Sequence, residues 1–239
     1  MDHIFEQKSY KTEKKINLFD STELPRFQKR KVVFISRDNV AAYTNKNEDY
    51  IDTCRRLYKR IIPNELIRNK LTELENKFNL NNLYHESLGV HVRHGNGEKY
   101  YSPLNNTWGV KPPSADKIFK AIKKPLDDNP NIKNIILSSD CNAVSNFIKE
   151  QFPTKNIIYL SQFVQDIGMG CNHTNSLFNQ EFSSLKKTIS LELEDQIVFT
   201  EILALSKCYA LCGGKSFFFN TVKGFSECDP TKIYYLDNS

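Results

Sequence analysis

From residue 87 onward, short apolar runs alternate with stretches of helical period, and this alternation constrains the fold more than any other feature of the chain. Residues 88–93, 134–137, 156–160, 210–212 and 233–236 read as short strands. Residues 114–124, 142–152, 188–207 and 216–226 read as the helices between them, with Ser114 as an N-cap after Pro112 and Pro113. Apolar strands separated by helices belong to a parallel sheet covered on both faces. The expected architecture is therefore α/β, a Rossmann-like doubly wound parallel sheet whose ligands sit beyond the carboxyl ends of the strands. Upstream, residues 1–30 are polar and broken by Pro25, and residues 31–36 read as a strand. Two helical patterns follow at 47–61 and 64–78, with Pro63 as a helix start, and then a polar connector at 79–86.

The 239 residues carry a formal charge of +5, which suits an anionic small ligand or a membrane surface without marking a nucleic-acid binder. None of the six cysteines sits in a CxxC pair, so they read as reduced thiols rather than a zinc site. The chain opens with no leader-like apolar core, and no apolar run reaches membrane-spanning length. A cytoplasmic protein is expected, with peripheral membrane contact allowed.

Polar clusters follow three of the expected strands. The first, from His91 to Glu98, holds His91, Arg93, His94, Gly95, Asn96, Gly97 and Glu98. Period-two alternation sends His91 and Arg93 to one face. The glycines let backbone approach a ligand, and a guanidinium grips a diphosphate through its planar fork. The second cluster is Ser138, Ser139 and Asp140, which serve equally as turn and N-cap residues or as phosphate and ribose contacts. The third is Gly213, Gly214, Lys215 and Ser216 before a helix, either a plain cap or a phosphate cradle. The full Walker spacing is absent, which excludes a P-loop ATPase. If the strands share one sheet, the three clusters line one cleft. Glu201 stands in an apolar helical run, either on its wet side, the commoner placement, or buried with a partner. His173 lies in a long Gly-containing loop, a weaker candidate.

The run Val90-His91-Val92-Arg93-His94-Gly95-Asn96-Gly97-Glu98 resembles the signature of the NodZ-like, nodulation-type α-1,6-fucosyltransferases. The Ile136–Asp140 block, the segment from Glu201 to Ser216, and the loop Gly168-x-Gly170-x-x-His173 resemble further motifs of that family. The resemblance implies a GT-B-like, GDP-fucose-dependent, inverting fucosyltransferase that requires no metal and acts on a glycan acceptor, such as a GlcNAc-containing oligosaccharide or glycolipid. It places the essential arginine on Arg93 and the nucleotide-contacting histidine on His91, with His94 in the adjacent basic position. Asp140, Glu201 (an Asp in the family) and Ser216 fall on its other motif positions. Ser139, Gly95, Asn96 and Gly97 complete the expected donor site, with His173 and Glu98 as further candidates. Residues 1–86 then form a shortened acceptor-side region and 87–239 the nucleotide-sugar-binding domain.

Two other readings remain in view. One is a GDP-sugar binder without catalysis. The other is a histidine phosphatase, suggested by Arg93-His94-Gly95; it lacks the late histidine beside an acidic residue that such chemistry needs.

Overall fold

The computed structural model describes residues 55–56, 58–59, 61–93, 113–161, 191–214 and 216–236. In chain order they form α1 (Glu65–Phe78), β1 (Ser87–Val92), α2 (Ala115–Asp128), β2 (Asn134–Ser139) and α3 (Asn142–Gln151). Next come β3 (Asn156–Tyr159), α4 (Leu191–Ser206), β4 (Ala210–Gly213), α5 (Phe217–Phe225) and β5 (Ile233–Tyr235). The expected strand at 31–36, and the candidates His94, Gly95, Asn96, Gly97, Glu98 and His173, lie outside the described residues, as does Lys215.

All the described strands pair in parallel, in the order β3–β2–β1–β4–β5. The chain lays β1, β2 and β3 outward in one direction, then returns through α4 to add β4 and β5 on the other side of β1. The strand order therefore reverses between β1 and β4, and such a reversal opens a crevice at the carboxyl ends. The described members of the three polar clusters, among them His91, Arg93, Ser138, Ser139, Asp140, Gly213, Gly214 and Ser216, share that edge, since β1, β2 and β4 are neighbours.

Alternation along the strands divides the core. Leu88, Val90 and Val92 of β1, with Ile135 and Leu137 of β2, pack under α2 and α3 against Ile118, Ile122, Val144 and Ile148. The opposite face carries Ile136, Ile158, Leu211 and Ile233 beneath α1, α4 and α5, where Ile67, Phe199, Ile202, Leu203 and Phe219 meet them. The described part of the 1–86 segment is thus built into the same core as the sheet. Gly89 suits its place because an added Cβ would come within 3.0 Å of both the Cys208 sulfur and Leu211.

The local chemistry explains most boundaries. Asn64 caps α1 by accepting from the Ile67 N–H at 3.0 Å, so Pro63 precedes the cap rather than starting the helix. Asn79 ends α1 at φ 54°, a left-handed position that asparagine tolerates. The 79–86 connector is not a simple polar loop. It forms 3₁₀ turns over Leu80–Asn82 and Tyr84–Glu86, and buries Leu80 and Tyr84.

Ser114 caps α2 as expected, accepting from the Lys117 N–H. The helix nonetheless runs past Lys124 and through Pro125 to Asp128. Proline lacks the N–H that would reach the carbonyl four residues back, on Ala121. The Cys212 thiol of β4 donates to that carbonyl at 3.4 Å. Burial pushes this thiol up to about 12, so it keeps its proton.

Candidate functional site

At the carboxyl edge, strand register aligns Ser138 of β2, His91 of β1 and Gly213 of β4 in one row. In-register residues of neighbouring parallel strands face the same way, here toward α4 and α5. His91 is 6% exposed, and its ring stacks on Phe218 of α5 with centroids 4.1 Å apart and planes 12° from parallel. Its Nδ1 stands 3.4 Å from the Ser216 hydroxyl. That hydroxyl oxygen already caps α5 by accepting from the Phe219 N–H at 3.0 Å. The hydroxyl and Nδ1 share one hydrogen bond, and where Ser216 is the donor the imidazole proton sits on Nε2. Burial first, and the nearby Arg93 charge second, push the His91 pKa down to about 3. The ring is a neutral hydrogen-bonding group across the whole working range.

Arg93 follows the last residue of β1 and is exposed. It comes two residues after His91 at the carboxyl end of β1, beside the strand-order reversal, and its charge acts on the His91 ring. Across the strand-order reversal, the Ser216 N–H bonds back to the Gly214 carbonyl at 2.9 Å in a tight turn that leads into α5. The amino end of α5 thus faces the same crevice, where a helix presents unpaired N–H groups. Gly213 is obligatory for this packing, since a Cβ there would lie 2.5 Å from the Phe219 ring.

Of the two placements open to Glu201, the structure takes the buried one with partners. It is 3% exposed and points from α4 onto the sheet. Its Oε2 accepts from the Ser138 hydroxyl at 2.5 Å and from the Ser161 hydroxyl at 2.9 Å. Ser161 in turn accepts from the Ser139 N–H at 3.1 Å. The cluster ties α4 to the carboxyl ends of β2 and β3. The other oxygen, Oε1, is buried with no partner. Burial raises the pKa to about 7 against the opposing effect of the two hydroxyls.

Helix α4 could have revealed this placement. Its first turns carry Glu192, Glu194 and Asp195, but from Ile197 to Leu205 the apolar residues Ile197, Val198, Phe199, Ile202, Leu203 and Leu205 surround Glu201 on every side, the pattern of a buried stretch. Ser161, just past β3, carried no such signal.

The second cluster resolves into distinct roles. The Ser139 hydroxyl is buried and accepts from the Cys141 N–H at 3.2 Å. The α3 N-cap position falls on Cys141, so capping does not account for Asp140, which is half-buried at the end of β2. Among the described residues there is no cluster of metal-ligating side chains, and no helix is long and apolar enough to cross a membrane.

The fold and this edge define a doubly wound parallel α/β protein with a polar crevice at its strand-order reversal. The profile of the Nodulation protein Z (NodZ) family matches residues 33–225, and the chain belongs to that family. No curated protein sequence matches it significantly. Among solved structures, POFUT1 in complex with GDP-fucose is 13% identical, with TM-score 0.44, over 78% of this chain and 49% of that one. A mutant of Arabidopsis thaliana FUT1 in complex with GDP is 10% identical, with TM-score 0.42, over 78% of this chain and 38% of that one. POFUT1 in complex with GDP is 12% identical, with TM-score 0.41, over 92% of this chain and 60% of that one. The chain therefore spans from 38% to 60% of the length of these proteins.

Proposed function

We propose that residues 87–239, with α1 packed into their core, form the nucleotide-sugar-binding unit of a GDP-fucose-dependent fucosyltransferase, with the rest of residues 1–86 on the acceptor side. One observation carries this reading. Exposed Arg93 stands at the strand-order reversal, beside a buried neutral His91 that is joined to the cap of α5 through Ser216.

Fucose leaves GDP as the bond from its anomeric carbon to the β-phosphate oxygen breaks, and the electron pair goes to that oxygen. Arg93 and the N–H groups at the start of α5 are the donors to that growing charge. A fixed guanidinium does here what a metal does in other transferases, so the reaction proposed is metal-independent. His91, neutral and stacked, donates from Nε2 to the nucleotide. Asp140 and the Glu201 Oε1 are the acceptors assigned to the nucleotide, and Ser216 is assigned to the phosphates. His94, Gly95, Asn96 and Gly97 extend the donor site, with His173 as a further contact.

An acceptor hydroxyl attacks the anomeric carbon from the opposite face, inverting it, and gives its proton to a base for which Glu98 is the candidate. The acceptor class proposed is a GlcNAc-containing oligosaccharide or glycolipid, met in the cytoplasm or at a membrane surface. Incubation with isotope-labelled GDP-fucose and chitooligosaccharides tests the reading. Label should pass to the acceptor. Donor binding without transfer or hydrolysis across a broad acceptor panel would leave only a binder of GDP-sugars.

A further inference from the structure

Two neighbouring phenylalanines in the first turn of α5 do different things. Phe219 is 1% exposed, and its ring lies in the core, over Gly213 and edge-on to Tyr235. It fixes the helix to the sheet. Phe218 is half-buried at the margin of that core, and its ring lies flat on the imidazole of His91.

The imidazole needs such a hold. A histidine ring turns about its last torsion without sharp staggered wells, so its contacts decide where it rests. Among the described residues its hydrogen-bond partner is Ser216, and at 3.4 Å that bond is long. Alone it would let the ring swing, or exchange the nitrogen that meets the hydroxyl. The Phe218 ring, with its centroid 4.1 Å away and its plane 12° from parallel, covers one face of the imidazole. A turn to edge-on would crowd a ring that close. Both contacts come from the start of one helix, so α5 holds His91 by an atom and by a face.

We propose that Phe218 is a positioning residue of the crevice: by stacking on His91 it fixes the imidazole plane, so that Nδ1 stays on the Ser216 hydroxyl and Nε2 is presented to the ligand. This role rests on the crevice being a GDP site, and Phe218 exerts it through His91 rather than by touching the ligand.

The test uses the full chain with nitrogen-15 in its histidine rings, near neutral pH. The His91 resonances are those that vanish in His91→Gln. Phe218→Leu keeps apolar bulk and removes the aromatic face. Phe218→Tyr keeps the face, and the half-buried site lets its hydroxyl reach water. Circular dichroism checks that each variant is folded. Wild type should show one dominant tautomer of His91, and Phe218→Leu a mixture of two. GDP affinity, by calorimetry, should fall about fivefold in Phe218→Leu, the scale of one aromatic stack. Phe218→Tyr should restore both the tautomer and the affinity. In a His91→Gln background, Phe218→Leu should cost nothing further.

Mixed tautomers in wild type, His91 resonances unchanged by Phe218→Leu, no recovery with tyrosine, or a loss of affinity that persists in the His91→Gln background would each overturn the proposal. Failure of wild type to bind GDP would instead defeat the reading of the crevice, and the ring resonances would still decide the role of Phe218.

Discussion

His91 and Glu201 lie on the same face of adjacent strands and helix, and their proton linkages to folding oppose each other. Glu201 titrates at about 7 in the fold against an ordinary 4.5. Between those values the unfolded chain has lost a proton that the folded chain keeps. The stability Glu201 contributes is therefore complete below pH 4.5 and lost as pH rises toward 7. His91 titrates at about 3 against an ordinary 6.5, so its contribution is complete above 6.5 and lost as pH falls toward 3.

From pH 4.5 to 6.5 the two effects cancel, each worth about 3 kcal/mol across the window. The wild-type profile hides both. Glu201→Gln mimics the protonated side chain and removes the falling contribution. Its stability relative to wild type should climb by about 3 kcal/mol between those two pH values. His91→Gln should show the mirror image, falling by a similar amount. Urea unfolding of all three proteins at half-unit pH steps supplies the differences, and carboxylates elsewhere drop out of the subtraction. Differences that stay flat across the window would refute the buried, opposed placement of the two groups.

Arg93→Ala should cut fucosyl transfer by about two or more orders of magnitude with the fold intact, and Arg93→Lys should rescue it poorly; steady-state kinetics and circular dichroism decide. Gly213→Ala drives a methyl into the Phe219 ring and should cost about 1–3 kcal/mol in urea unfolding, with Phe219→Leu partly restoring the loss. Ser216→Ala removes the α5 cap and the His91 contact together, and should lower stability by about 1 kcal/mol and weaken GDP binding in calorimetry. Cys212→Ala orphans the Ala121 carbonyl above Pro125 and should destabilise by about 1–3 kcal/mol in the same unfolding assay.

The sheet was legible because its strands are short apolar runs between amphipathic helices, and parallel pairing follows from that pattern. Ser114 and Ser216 read as caps and act as caps. What escaped was decided by contacts distant in sequence. The helix read over 114–124 continues through Pro125 to Asp128, and a thiol 87 residues later, on Cys212, reaches the carbonyl left without a donor. The apolar run around Glu201 signalled burial, but its partners were not legible, because Ser138 and Ser161 come from two other elements. The stacking of Phe218 on His91 was hidden inside a run of three phenylalanines that pattern alone cannot tell apart.

The central claim is that the crevice between β1 and β4 holds a guanosine diphosphate sugar by its pyrophosphate through Arg93. Calorimetry with GDP, GDP-fucose, GDP-mannose and UDP-sugars, on wild type and Arg93→Ala, tests it most directly. The account predicts that wild type binds GDP and GDP-fucose, that UDP-sugars bind far more weakly, and that the alanine variant loses most of the affinity. Equal binding of UDP-sugars, or GDP binding unchanged by the substitution, would contradict it.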